Sequence, residues 1–154
     1  MSLDEFKKID ATSLPIGKLI TMIARGNTIY LNHHLHDLGI NASQLHLLFE
    51  ISHQKEINQE KIASRCNMDK GAVARSIKKL EEKSLIKREI DNTNRRQNKI
   101  SLTPKGENIL NKCIDLLDNW EMEVLHNINI EKELLQIALK EIVIKTIELN
   151  QKGE

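Results

Sequence analysis

The spacing of apolar residues changes from every three or four positions to every second position at Ile86, and it returns to helical spacing after Pro104. Apolar periods of 3.6 and 2 residues are typical of helices and strands respectively. The sequence therefore predicts helices up to about Lys83, then a two-stranded hairpin with strands near residues 86–90 and 100–102. The polar residues between the two strands form its tip.

Capping residues divide the part before Ile86 into separate helices. A first helix follows Pro15 and ends at Gly39, a second begins at Asn41, and Asn58 and Asp69 are expected to cap a third and a fourth. Residues 1–14 are predicted to be a loosely ordered arm. The resulting order, a short helix, a tight turn, another helix and then a basic hairpin, is that of a winged helix-turn-helix domain.

Two further helices are predicted after the hairpin. One starts at Pro104, and the last spans about Glu131 to Leu149, where apolar residues surround most of the helix. A helix of this kind needs burial on more than one side, which a small domain can hardly supply. We therefore expect a homodimer.

Charge is concentrated around the hairpin although the 154-residue chain has a net charge of only +1. Residues 70–105 contain 11 Lys or Arg and 4 Asp or Glu, a local charge of +7, which leaves −6 on the rest. Such a segment is typical of a surface that binds phosphate, and a solvated basic face is the alternative. With an aromatic content of 3%, stacking of unpaired bases is not expected.

The fourth helix is predicted to read double-stranded DNA. Val73, Ile77 and Leu80 share one side and should pack inward. Arg75 suits a guanine edge and the lysines suit phosphate, whereas small residues permit close approach to the groove. The predicted DNA-binding residues are Lys70, Gly71, Ala72, Ala74, Arg75, Lys78 and Lys79 on the helix, with Arg95 and Arg96 at the hairpin tip.

Three segments carry a resemblance to a known family. Met68–Arg88 (MDKGAVARSIKKLEEKSLIKR), Asp91–Arg96 (DNTNRR) and Leu102–Gly106 (LTPKG) resemble the MarR family of transcriptional regulators. The resemblance implies a two-fold dimer, a recognition helix from Lys70 to Lys83, and Asp69 as a brace for Arg96. Asn94 departs from the family, which commonly has Asp there, and this removes a charge that would hold Arg95.

The first helix contains a candidate effector site and a candidate metal site. The resemblance implies that aromatic acids bind between the dimer body and the DNA-binding lobe, where Arg25, with Lys18 and Tyr30 nearby, could hold a carboxylate. A surface or inter-subunit salt bridge of Arg25 is the alternative. His33 and His36 lie on one helix face, so a metal-responsive regulator stays open, although no ligand set is complete and we predict no metal.

Other classes of protein are less compatible with the sequence. No catalytic triad, phosphate-binding glycine loop or acid/base pair is visible, so neither an enzyme nor a cofactor is expected. A winged helix that contacts proteins rather than DNA stays open. Cys66 and Cys113 are predicted to be small core residues. Without a long apolar run or a signal-peptide core, we expect a cytoplasmic protein that does not enter a membrane.

The predicted fold is mainly α: a single MarR-like domain over residues 1–154. Residues 42–103 are the predicted winged helix-turn-helix lobe with its two-stranded wing, and residues 1–41 and 104–154 are the helices of the dimerisation body. The predicted function is a regulator, a repressor by expectation, that binds a pseudopalindromic DNA site as a homodimer and is released by a small anionic aromatic effector.

Overall fold

The fold is mainly helical, as predicted, in a computed structural model that describes residues 1–90, 92–94 and 98–152. Two antiparallel strands pair Ile86 with Leu102 and Glu89 with Lys99. The helices are α1 (Leu3–Lys7), α2 (Ile16–Leu35), α3 (Ala42–Gln54), α4 (Gln59–Cys66), α5 (Lys70–Glu82), α6 (Pro104–Leu125) and α7 (Lys132–Gln151), and the strands are β1 (Ile86–Glu89) and β2 (Lys99–Leu102).

The arm predicted at the N-terminus has local helical structure instead. Ser2 and Glu5 cap α1 reciprocally: Glu5 N donates to Ser2 Oγ at 3.2 Å, and Ser2 N donates to Glu5 Oε2 at 2.6 Å. Asp10 then caps a single 3₁₀ turn, Ala11–Ser13. The prediction was wrong because it weighed apolar spacing and overlooked a capping box, which satisfies two free N–H groups in so short a helix.

Side-chain caps start α3, α4 and α5. The Oδ1 atoms of Asn41, Asn58 and Asp69 each accept a hydrogen bond of 2.8–2.9 Å from the backbone N–H three residues later. The caps predicted at Asn58 and Asp69 are thus confirmed. Between α4 and α5, Asn67 adopts the left-handed conformation (φ 48°), which closes the tight turn of the helix-turn-helix.

One hydrophobic core joins the helix-turn-helix to the hairpin. Ile100 of β2 is fully buried, and its backbone exchanges two hydrogen bonds with Ile57, at 2.8 and 3.1 Å. The segment after α3 therefore extends the sheet by one bridge, which apolar spacing did not predict. The core residues with no exposed surface include Leu35, Leu47, Leu48, Ile51, Ile62, Val73, Ile77, Leu80, Ile100 and Cys113.

The chain divides within α6 into two compact units, Met1–Leu117 and Asp118–Glu154. In the second unit, α7 has no buried residue, and Leu134, Ile137 and Leu149 are each at least 60% exposed. None of the described helices combines the length and the apolar character needed to cross a membrane. The boundaries predicted at residues 42 and 104 divide a DNA-binding lobe from dimerisation helices, whereas the division after Leu117 separates two compact units. The predicted boundaries therefore stay a prediction.

Candidate nucleic-acid interface

The orientation of α5 is fixed by its buried side. Val73, Ile77 and Leu80 have no exposed surface, as the apolar spacing predicts. The opposite side is exposed at Lys70, Gly71, Arg75, Lys78 and Lys79, and Ala72 and Ala74 are half-buried beside it. One face of α5 therefore presents four cations and a stretch of small residues to solvent.

The cations of this face differ in how they are paired. Lys70 Nζ lies 3.5 Å from a carboxylate oxygen of Glu60, and Lys78 Nζ lies 3.9 Å from one of Glu82. Both pairs are largely exposed, so they hold the lysines only weakly. Arg75 and Lys79 form no ion pair within the described part of the chain, which leaves their charge available to an anionic partner.

Gly71 makes room for the side chain of Arg75. A Cβ atom on Gly71 would lie 3.2 Å from Asp69 Oδ1 and 3.3 Å from Arg75 Nη1. The guanidinium group thus lies over the first turn of α5, on the same side as the carboxylate that caps the helix. This position directs Arg75 toward the N-terminal half of α5, the part of a recognition helix that reaches base edges.

Carboxylates offset the lysines at the base of the hairpin. Lys87 Nζ lies 2.8 Å from Glu89 Oε1, and Lys99 Nζ lies 3.0 Å from Glu56 Oε2. The hydrogen bond and the charge of Glu89 raise the pKa of Lys87, and those of Lys87 lower the pKa of Glu89. Sequence reasoning missed this pairing, although residues two apart on a strand face the same side.

The predicted wing contacts lie at the tip. Arg95 and Arg96 fall outside the described residues, so their DNA-binding role and the brace from Asp69 to Arg96 stay predictions. Asn94 is described and exposed. Asp69 Oδ1 accepts a hydrogen bond from Ala72 N at 2.8 Å, so its established contact is the cap of α5.

The candidate effector residues do not converge within one chain. Lys18 and Arg25 are seven positions apart, hence on the same side of α2, whereas Tyr30 is rotated from Arg25 by roughly 140°. The Tyr30 ring packs against His34, with centroids 4.4 Å apart.

A cleft of about 790 Å³ that sequence reasoning missed lies away from these three residues. Its lining includes Phe49, His53, Lys55, Lys87, Glu107 and Asn111.

The surroundings of the histidines and of the two cysteines show whether these residues could bind a metal ion or belong to the core. Among the residues that the structure describes, no group of three or more His, Cys, Asp or Glu side chains could hold a metal ion. Cys113 is fully buried and Cys66 half-buried, so both pack in the core as predicted. Burial raises the pKa of both thiols, and Glu50 adds to this effect at Cys66.

Comparisons with known proteins agree with this geometry. The MarR family model matches residues 40–97, from just before α3 to the tip of the hairpin. The HTH-type transcriptional regulator BilQ of Clostridium symbiosum (strain WAL-14163) is 27% identical over 128 residues, which cover 83% of this chain and 89% of BilQ.

Two solved structures extend the similarity to nearly the whole chain. A crystal structure of MarR superposes with a TM-score of 0.83 at 25% identity and covers 94% of this chain and 98% of MarR. A mutant E. coli MarR complexed with operator DNA superposes with a TM-score of 0.74 at 26% identity and covers 87% of this chain and 99% of that protein.

Proposed function

We propose that this chain, whose residues 40–97 match the MarR family model, is a transcriptional regulator that binds double-stranded DNA as a homodimer and represses transcription from a pseudopalindromic site. The observation that carries the proposal is the exposed face of α5. Its inner side is held by the core, and Arg75 and Lys79 project from it without an ion pair among the described residues. Such a helix suits the major groove.

Each side chain of this face has a role that follows from its chemistry. The planar guanidinium of Arg75 can donate two hydrogen bonds to the O6 and N7 atoms of guanine. Lys70, Lys78 and Lys79 suit phosphate, because an ammonium group is a point charge without the fixed geometry that base reading needs. Gly71, Ala72 and Ala74 let the backbone approach the bases. In the dimer, paired recognition helices require half-sites roughly 10 bp apart.

The first test replaces Arg75, Lys79 and Arg96 singly by Ala. Arg75→Ala should cost about 1–3 kcal/mol and relax base preference at one position in each half-site. Arg96→Ala, and Lys79→Ala more mildly, should weaken binding to all sequences and flatten the dependence of affinity on salt. The measurement is a salt titration of each variant on a duplex selected from genomic fragments and on a scrambled duplex.

Lys112→Ala is the control, because Lys112 is an exposed lysine of α6 outside the α5 face. An equal loss on both duplexes would make Arg75 a phosphate contact. If all three variants bound as the wild type does, DNA binding through α5 would be refuted. A partner whose binding ignores salt would point to a winged helix that contacts protein.

We further propose that a small aromatic carboxylate releases the protein from DNA, with Lys18, Arg25 and Tyr30 as its ligands. Because Tyr30 is on another side of α2, the site would draw on both protomers. Salicylate should then raise the melting temperature and weaken DNA binding, and Arg25→Ala should remove both responses while the dimer persists. Thermal shift and DNA titration measure the two effects. A response lost in Lys87→Ala but kept in Arg25→Ala would place the anion in the cleft instead.

A further inference from the structure

The turn that leaves α5 is tied to the end of its own helix. It consists of Lys83, Ser84 and Leu85, which we call the α5 exit turn. Ser84 N donates to Glu81 O at 2.8 Å and Leu85 N donates to Leu80 O at 3.0 Å, while Ser84 adopts a left-handed conformation (φ 58°). Leu85 is 1% exposed. The turn is therefore fixed to the C-terminal end of α5.

Residues that precede and residues that follow this turn in the sequence both form hydrogen bonds with it. From the N-terminal side, the Gly39 carbonyl that follows α2 accepts a hydrogen bond from Lys83 Nζ. From the other side, Lys105 Nζ donates to Lys83 O at 2.9 Å and Thr103 Oγ1 donates to Ser84 O at 2.6 Å. The α5 exit turn is thus held between Gly39, which follows the 3₁₀ turn after α2, and the residues at the start of α6.

The backbone of the α5 exit turn packs closely against the backbone at the start of α6. Thr103 N donates to Leu85 O at 3.0 Å. A Cβ atom on Gly106 would lie only 2.0 Å from that same carbonyl oxygen. Thr103 Oγ1 also accepts from Gly106 N at 3.1 Å, which fixes the first turn of α6. Little freedom is left for α5 to tilt against the first turn of α6.

We propose that the α5 exit turn is the joint that sets the angle of α5, and so the half-site spacing that the dimer accepts. The inference rests on the proposed function, since it assumes that the helices before residue 42 and after residue 103 form the dimer body. Lys83 and Lys105 act here as positioning residues. Their ammonium groups are used within the protein, whereas those of Lys78 and Lys79 face outward.

The test uses the tightest pseudopalindrome selected from a random duplex library, with the half-sites also moved one and two base pairs together or apart. Wild type should prefer the selected spacing strongly. In Lys83→Met/Lys105→Met, which keeps the aliphatic stems, the ratio of affinities between selected and shifted spacing should fall at least about fivefold. Thr103→Val, which lacks the hydroxyl, should lower it in the same direction.

Two controls separate the joint from simpler roles. Lys79→Met should weaken binding evenly and keep the ratio, and Lys112→Met should change neither. An unchanged ratio in the double variant would overturn the proposal. If affinity then fell at every spacing, the two lysines would be phosphate contacts. If only the melting temperature fell, their role would be stability alone.

A second readout decides the inference without DNA. A spin label at Lys78→Cys in a Cys66→Ser background reports the distance between the two α5 helices of a dimer. The double variant should broaden that distance distribution relative to wild type, and an unaltered distribution would overturn the joint. If no duplex were bound by wild type, the proposed function would fail while this measurement still decided the joint.

Discussion

Replacing Ile137 by Asp should dissociate the protein into monomers or aggregates. Ile137 is 60% exposed, and α7 carries further exposed apolar side chains around most of its circumference, including Leu134, Val143 and Ile147. An exposed surface of this kind is typical of an obligate interface. In the proposed two-fold dimer, the substitution would lie on both protomers. Burying an unpaired carboxylate should cost about 3 kcal/mol or more, which is over a hundredfold in dimer affinity.

Lys140→Asp is the matched control, because it introduces the same residue at a polar position of the same helix. It should remain dimeric in sedimentation velocity at micromolar concentration, where Ile137→Asp should not. Removal of the chain from Glu131 onward should go further and abolish soluble folding, because it deletes α7, the helix proposed to form the apolar interface of the dimer. A well-folded wild-type monomer at micromolar concentration would contradict the dimer outright.

The sequence was most informative where a structure depends on neighbours along the chain. Caps act over three residues and apolar faces repeat every three or four, so Asp69, the inward side of α5 and the start of α6 at Pro104 could all be predicted. The hairpin followed from a change of period. The same local rules located the exposed cations of α5, because buried and exposed sides of a helix imply each other.

Contacts between distant segments were out of reach of this reasoning. Ile57 pairs with Ile100 across more than forty residues, and Lys83 reaches Gly39 across as many, yet no local pattern marks either pair. The carboxylate of Glu56 beside Lys99 is a similar case. Local charge counting therefore overstated the free charge of the hairpin, because it could not include acidic groups that folding brings beside it.

Gly106→Ala should destabilise the protein strongly although glycine is usually a poor helix residue. The added Cβ would lie 2.0 Å from the backbone oxygen of Leu85, and a backbone atom cannot rotate away as a side chain can. Leu85 O is further held by the N–H of Thr103 at 3.0 Å. Overpacking of this kind costs about 1–3 kcal/mol or more, which exceeds the gain of roughly 1 kcal/mol in helix propensity.

Gly17→Ala is the matched control, since Gly17 also lies in the first turn of a helix but has no heavy atom within 4 Å of its ideal Cβ. That variant should be as stable as wild type or slightly more so. Urea unfolding at one fixed protein concentration compares the two, because the stability of the proposed dimer would depend on concentration. Equal midpoints for Gly106→Ala and Gly17→Ala would mean that α6 can move away from Leu85, and the close packing beside the α5 exit turn would then lack the rigidity that the joint requires.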